Sequence, residues 1–528
     1  MQPSWLVLLP PLLVLLSAYY TKNLNPSLFL GVIVAGLIAT DFSITKAAKL
    51  IGWRFYDQDL DALYMYLFLC CVGVIVILIS KTGGAQAFAN TLKNRLITQK
   101  SVETASLGLS FLLSIDDYLS ALTTGHVMRS LTDKMRIPRV KLAYLVHALA
   151  GPLVILIPVS SWTAMINNQL DISGIQATLE PTTRIIADPY YIYLHSIPFV
   201  FYSLFTLFTV WIIVRKQISF GPMRQFEEIA KKTGDVQGQK EGPVINIEFA
   251  GEGALADLLV PIGTLIATVF IGIPFAGGYR PFSAGITLLD AFRDNTEIFL
   301  ILLIAGAFTL LVSFLFALAR GKITMAAAPV MGWQGIKLMW PAVLMLFLAS
   351  SLGIIMRSDL SAGLYLAQLL HGIVTVSWLP LLFFAISTIT ALLTGSAWGT
   401  IALLLPIGIP TLIELSGLQT PIEPAMLPLL FPLLGAIFSG AVCGDQLSPI
   451  SETTIMAATS SGCYPIDHTV TQAPYAFAPL LGTCAAFITA GYLATYGALS
   501  LLAPLGVGLL VNGALLYLQS RPVDNNSR

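Results

Sequence analysis

The chain is a succession of apolar runs, each about 20 residues long, separated by short polar stretches. A run of that length, coiled as a helix, matches the hydrocarbon thickness of a bilayer. Segments near 5–20, 26–40 and 61–80 predict three such helices. Segments near 140–160, 190–214, 253–274, 297–319 and 339–357 predict five more, and 425–443, 474–495 and 498–518 the last three. The pattern therefore predicts an all-α polytopic membrane protein with about eleven transmembrane helices. Two further apolar stretches, 101–128 and 377–413, carry polar breaks and do not read as simple spans.

Charge placement says what those two stretches are. Lys81, Lys93, Arg95 and Lys100 precede the first, and Arg129, Lys134, Arg136, Arg139 and Lys141 follow it. Basic flanks prefer the cytoplasm, so 101–128 is expected to enter and leave on one side as a re-entrant hairpin. The second stretch breaks at Thr394–Gly399 and has few cations beside it, which predicts a hairpin entering from outside. Two hairpins of opposite entry imply two halves of inverted topology, 26–214 and 297–495, within one membrane domain spanning 1–528. The polar stretch 215–252 is the expected cytoplasmic link, a short surface helix followed by a flexible tether remote from any ion site. The loop 167–189 is expected outside. The 41–60 loop, with Lys46, Lys49 and Arg54 balanced by Asp41, Asp57 and Asp59, falls outside in the same scheme. The first apolar run precedes its first cation, Lys22, and reads as an uncleaved helix with its C-terminal end inside.

Composition narrows the function. Apolar residues make up 56% of the chain and charged residues 11%, with 28 cationic against 28 acidic side chains. Zero net charge gives no reason to expect a nucleic-acid partner. The expected partners are the lipid bilayer and small cations, with a homodimer as a candidate assembly. The five cysteines show neither metal-ligand nor disulfide spacing and read as small core residues. No nucleotide-binding loop, HExxH or GxSxG element occurs in a fitting context, so no cofactor is expected.

Against that apolar background, four carboxylates stand out: Asp116 and Asp117 in SIDDYLSALTTG (114–125), and Asp445 and Glu452 in SGAVCGDQLSPISETT (439–454). A carboxylate at bilayer depth is expensive unless it binds something. Adjacent Asp116 and Asp117 cannot both ionise cheaply in a low dielectric, which suits a site that trades a proton for a cation. Ser120 and Thr123 add hydroxyls on one side; Ser448, Ser451 and Thr453 add them at the Gly444–Pro449 break. Oxygen donors suit small hard cations. The alternative is that Asp116 and Asp117 merely cap a helix or pair with Arg129 or His126, and that the 440–454 run is a cytoplasmic loop with Asp445 or Ser451 as an N-cap. The runs PVSSWTA (158–164) and TGSAWGT (394–400) offer Ser161, Thr163, Ser396 and Thr400 as weaker candidates. Among the histidines, His126 and His468 are candidate pH sensors, and His147 reads as a structural residue within its span.

These residues resemble the NhaC family of sodium/proton antiporters. The resemblance lies in DDYLSALTTGHVMRSLTD (116–133), IPVSSW (157–162), FGPM (220–223), GSAWGT (395–400) and the long 438–477 stretch, and extends over most of the chain from residue 60. Gln446, Leu447 and Glu452 depart from the family's common residues. The resemblance implies a fold with two inverted halves, hairpins and broken helices, and cation-coupled exchange without ATP. The expectation is therefore a multi-pass protein of the cytoplasmic (inner) membrane exchanging Na⁺, or Li⁺, for H⁺ by alternating access, with Na⁺ at Asp117 and Asp445. A Na⁺/H⁺-coupled organic-acid or amino-acid exchanger is the nearest alternative, and an intramembrane aspartyl enzyme a distant one.

Overall fold

The computed structural model describes residues 5–21, 23–56, 60–84, 87, 91, 98–158, 160–238, 253–280 and 298–520. Lys22, Asp57, Asp59, Lys93, Arg95, the 239–252 part of the link and the 521–528 tail lie outside them. The chain is built from helices. In order they are α1 (Leu9–Thr21), α2 (Leu24–Ala39), α3 (Ile44–Tyr56), α4 (Leu60–Thr82), α5 (Gln99–Leu112), α6 (Asp117–Lys134) and α7 (Arg139–Val154). Then come α8 (Ser161–Ile172), α9 (Pro189–Ser196), α10 (Phe201–Lys216), α11 (Gly221–Thr233), α12 (Ala256–Ala276), α13 (Ile298–Ala319) and α14 (Ala328–Ile354). The last seven are α15 (Ala362–Leu370), α16 (Leu379–Thr394), α17 (Ala397–Leu415), α18 (Leu430–Leu447), α19 (Glu452–Ser461), α20 (Pro465–Leu493) and α21 (Leu499–Ser520). Two two-residue strands, Ile175–Gln176 and Ile185–Ile186, pair in parallel between α8 and α9.

Among the described residues, ten helices are long and apolar enough to cross a membrane, and two shorter apolar helices cover Trp5–Ala18 and Leu24–Ala39. Outward-facing leucines such as Leu502, 64% exposed, and Leu510, 75% exposed, make α21 a lipid-facing helix. The protein is an all-α, multi-pass membrane protein.

Both polar breaks are helical hairpins. Gln99 Nε2 donates to Met135 O at 3.1 Å, and Ser120 Oγ donates to Ser110 O at 3.3 Å. These two crossings make α5 and α6 antiparallel, with residues 113–116 at the tip. In the second hairpin Gly408 packs against the Phe383 ring, and the tip turns at Gly395, whose φ of +69° favours glycine.

Each hairpin is followed by a broken helix. The helix expected over 140–160 stops at Val154, before Pro158, and resumes as α8 with Ser160 as its N-cap. In the second half α18 stops at Leu447, before Pro449, and resumes as α19 with Ser451 as its N-cap. Proline cannot supply the amide hydrogen that would continue the ladder. The halves exchange partners: α6 of the first hairpin packs on α19, and α17 of the second packs on α8.

Four sequence expectations require correction. Residues 167–172 belong to the buried helix α8, because Gln169 Nε2 finds Ser350 Oγ at 3.0 Å instead of water. The 190–214 span is split into α9, a 3-10 turn at Ile197–Phe199 and α10, since Pro198 interrupts it. The 41–60 loop holds the helix α3, tied by Arg54 to Asp359, in the π-helical turn Ile355–Asp359 after α14, at 2.8 Å. The described part of the link is no free tether. Its helix α11 buries Met223, Glu227 and Ala230, and Val236 O accepts from Arg139 N at 2.9 Å. Glu227 is held by Lys141 Nζ at 2.8 Å, and Glu103 by the same nitrogen at 2.7 Å.

Candidate functional site

Four helix N-termini meet at one place, those of α6, α8, α17 and α19. Ser161 N donates to Ile115 O at 3.0 Å, joining α8 to the first hairpin tip. The indoles of Trp162 and Trp398 meet edge-on at 6.2 Å, joining α8 to α17. Tyr118 OH donates to Glu452 Oε2, joining α6 to α19. A side chain at Gly395 would run into the Ile450 backbone, which brings the second tip against the second break. Each N-terminus carries unpaired amide hydrogens and the positive end of a helix dipole.

The four carboxylates lie at this junction. Asp116 is the N-cap of α6, accepting from Leu119 N at 2.9 Å through Oδ1. The capping alternative is therefore correct for that oxygen. Its Oδ2 has no hydrogen-bond partner, and Ser161 lies beside it. Asp117 is 2% exposed, with Trp162 beside it and Asp445 within Coulomb range. Its Oδ1 is also without a partner, as are Ser161 Oγ, Ser448 Oγ and the two indole nitrogens of Trp162 and Trp398. Buried polar atoms are seldom left so, and a cluster of them marks a place for water or an ion. Among the described residues no Lys or Arg lies within 4 Å of any of these carboxylates. They are offset by helix dipoles and by His147, whose Nε2 is 3.5 Å from Asp445 Oδ2.

Asp445 is the most heavily dressed of the four. Ser451 Oγ donates to its Oδ1 at 2.6 Å, and Thr453 Oγ1 donates to its Oδ2. Ser451 and Thr453 hydroxyls are 2.8 Å apart. These contacts exist because the Ser448–Ser451 break folds the start of α19 back over the end of α18. Thr454 Oγ1 clasps Ser448 O at 2.9 Å across the same break.

Other candidates stand apart. Ser120 faces Ser110 inside the first hairpin, and Thr123 is buried on α6 one turn beyond it. Thr163 completes a capping box with Ser160, Thr400 Oγ1 bonds back to Ser396 O at 2.8 Å, and Ser396 caps α17 through Gly399 N at 3.1 Å. These hydroxyls shape helix ends. His126 lines a polar pocket with Arg129, Asp133, Arg139 and Gln237. It lies nine residues along α6 from Asp117, about 14 Å at 1.5 Å per residue. His468 meets His147, and the ring nitrogens are 3.0 Å apart.

Sequence reading took His147 as a structural residue and did not single out Gln472, Tyr118 or Tyr202. Gln472 Nε2 donates to Gln446 O at 2.6 Å, and Tyr202 OH to Gln446 Oε1 at 2.5 Å. Tyr118 adjoins the paired aspartates, and that adjacency was the available signal. His147 had only its isolation in an apolar helix.

Among the described residues no group of three or more His, Cys, Asp or Glu is arranged to hold a metal ion. A cation here would combine a carboxylate pair with hydroxyls and backbone oxygens.

Comparison with known proteins accords with this geometry. The sequence pattern of the Na+/H+ antiporter family matches residues 153–495, which include the second hairpin, both broken-helix N-caps and three of the four N-termini. The chain belongs to the Na+/H+ antiporter family. It is 29% identical over 513 residues to an uncharacterised protein of Haemophilus influenzae, covering 96% of this chain and 94% of that one. Its fold is similar to that of the Alcanivorax borkumensis YdaH transporter, with a TM-score of 0.57 at 15% identity, covering 89% of this chain and 91% of the other. Family and fold together make the protein a secondary transporter.

Proposed function

We propose that the transporter exchanges Na⁺ for H⁺ across the cytoplasmic membrane by alternating access. The observation that carries this reading is a set of three buried carboxylates, Asp116, Asp117 and Asp445, drawn from both halves, with no Lys or Arg in salt-bridge reach among the described residues. Buried negative charge without a partner costs several kcal/mol. A proton or a small cation offsets it, and each excludes the other from the same oxygens. Asp117 and Asp445 hold Na⁺ between the halves; Ser448, Ser451 and Thr453 supply further oxygens. Tyr118 holds Glu452 in place. Asp116 anchors the tip of the first hairpin and leaves one oxygen facing the site. Exchange follows if the loaded site, with either ion, rearranges and the empty, fully charged site does not.

A second reading keeps support from one observation. Four helix N-termini at one junction form a setting suited to an organic anion, whose carboxylate would face their amide hydrogens. Purified protein in liposomes separates the two. Addition of Na⁺ outside should drive internal pH change with no organic solute present. PH change only when an organic acid or amino acid accompanies Na⁺ would replace the first reading with the second. Dependence on sealed vesicles distinguishes either from catalysis.

A further inference from the structure

The polar pocket beside His126 takes no part in cation exchange as described. Its volume is about 500 Å³, which is enough for a small organic ligand. The wall is made by His126, Arg129, Ser130 and Asp133 of α6, by Arg139 at the start of α7 and by Gln237 of the link. All six side chains are polar or charged. Arg129 lies twelve residues along α6 from Asp117, about 18 Å at 1.5 Å per residue. The pocket is therefore separate from the carboxylate junction.

Two guanidiniums share this wall with one carboxylate. Asp133 is engaged by Arg139, accepting from its Nη2 at 2.9 Å and from its Nε at 3.2 Å. The third arm of Arg139, Nη1, donates to Gly462 O at 3.3 Å. Arg129 makes no salt bridge among the described residues, and its Nη1 is buried without a hydrogen-bond partner. It nevertheless stays beside Arg139. A Cβ added at Gly462 would lie 2.9 Å from Arg139 Nη1 and 3.4 Å from Arg129 Nη1, so both cations crowd one point. Like charges held this close repel, and a buried donor is seldom left open. An anion received at this wall offsets the repulsion and accepts from the open donor.

We propose that this pocket binds a phosphate group. The donor set selects that chemistry. A guanidinium presents its N–H groups as a planar fork that matches two phosphate oxygens. The Ser130 hydroxyl, the Gln237 amide and the His126 ring add donors from other sides of the same space. A tetrahedral anion with several terminal oxygens uses such a set, whereas a halide uses one point of it. The volume leaves room for what the phosphate is attached to. The donors come from α6, α7 and the link, and Gly462 ends α19 at the same place. A bound phosphate thus fastens four segments at the end of α6 remote from Asp117. The inference does not depend on which ion the transporter exchanges.

The test uses the full chain, purified and free of phosphate buffer. Equilibrium dialysis measures binding of labelled inorganic phosphate and labelled adenosine monophosphate, and nanodiscs with and without phosphatidic acid supply the lipid arm. Wild-type protein should bind phosphate saturably. Arg129→Gln, which keeps an amide donor but removes the charge and the fork, should weaken that binding about thirtyfold. Ser130→Asp sets a carboxylate at an exposed position of the same wall and should weaken it similarly. Arg129→Lys, which keeps the charge alone, should fall between wild type and Arg129→Gln. Tighter binding of adenosine monophosphate than of phosphate identifies a soluble ester as the source. Displacement of both by phosphatidic acid, and not by nanodiscs lacking it, identifies a lipid headgroup. Absence of saturable binding of all three probes to wild-type protein would overturn the proposal. Undiminished binding to Ser130→Asp, or to Arg129→Gln, would overturn it too.

Discussion

Lys141 gives a sharp test of how the helix α11 is held. Its ammonium is 5% exposed and sits between Glu103, 0% exposed at 2.7 Å, and Glu227, 9% exposed at 2.8 Å. Gln217 Nε2 supports Glu103 at 2.7 Å, and Lys231 reaches Glu227 at 3.5 Å from a side chain 55% exposed. The exposed lysine is screened and contributes little. Lys141→Met therefore leaves two buried carboxylates with one amide between them. Removing one partner of a buried pair costs about 3–5 kcal/mol. The molecule can escape part of that cost by letting α11 lift, which returns Glu227 to water. At about 1.4 kcal/mol per factor of ten, the docked state of α11 should fall by a factor of roughly a hundred or more. Met223, 1% exposed on the docked face, reports this when replaced by cysteine. Its maleimide labelling should rise steeply in Lys141→Met above the background of the five native thiols. The neutral set Glu103→Gln, Lys141→Met, Glu227→Gln should restore slow labelling, because it leaves no stranded charge. Slow labelling in the single variant would refute the account of α11 as a helix fastened by a buried ion triad.

Other expectations follow from the same geometry. Asp445→Asn and Asp117→Asn should each abolish exchange in proteoliposomes while the protein still elutes as a folded species from detergent; an active Asp445→Asn variant with an unaltered pH profile would remove these carboxylates from the mechanism. If proton and cation share the oxygens, wild-type apparent Na⁺ affinity should weaken as pH falls, and equal affinity across the pH range would contradict competition. Cysteines at Gln99 and Met135 should be joined by a flexible bifunctional maleimide, since the Gln99 side chain reaches the Met135 carbonyl at the base of the first hairpin; failure of such a spacer to join them would undo the antiparallel arrangement. Gly444→Val should sharply lower the yield of folded protein, because its Cβ would lie 2.2 Å from Thr388 O, a backbone atom that cannot step aside; normal yield and thermal stability would count against the tight α16–α18 contact.

The sequence made some of this plain and concealed the rest for physical reasons. Asp116, Asp117, Asp445 and Glu452 were legible because a carboxylate in an apolar run conflicts with its surroundings, and such conflict points to a site. The hairpin over 101–128 was legible from the basic residues on both flanks. The helix α8 was not, because Asn167, Asn168 and Gln169 look solvated until the chain that covers them is known. The docking of α11 was hidden similarly: Glu227 reads as a surface charge, and only Lys141, 86 positions earlier and in another helix, makes its burial affordable. His147 was hidden by the opposite means. A lone histidine in an apolar helix resembles core, and its partners, His468 and Thr453, are more than 300 residues away.

The exchange of partners between halves bears on how the protein is made. Asp117 comes into being about 330 residues before Asp445, which at 5–20 residues per second is a delay of roughly 15–65 s. During that interval the first hairpin tip has neither α19 to pack on nor the tyrosine–glutamate clasp to close it. Its two aspartates must then stay near water or keep their protons, since ionised carboxylates facing lipid are costly. The ribosome thus releases a half-site that cannot settle at depth until the other half arrives. A chain truncated before the second break should be left with its first hairpin unseated, a form that membrane quality control can recognise and remove.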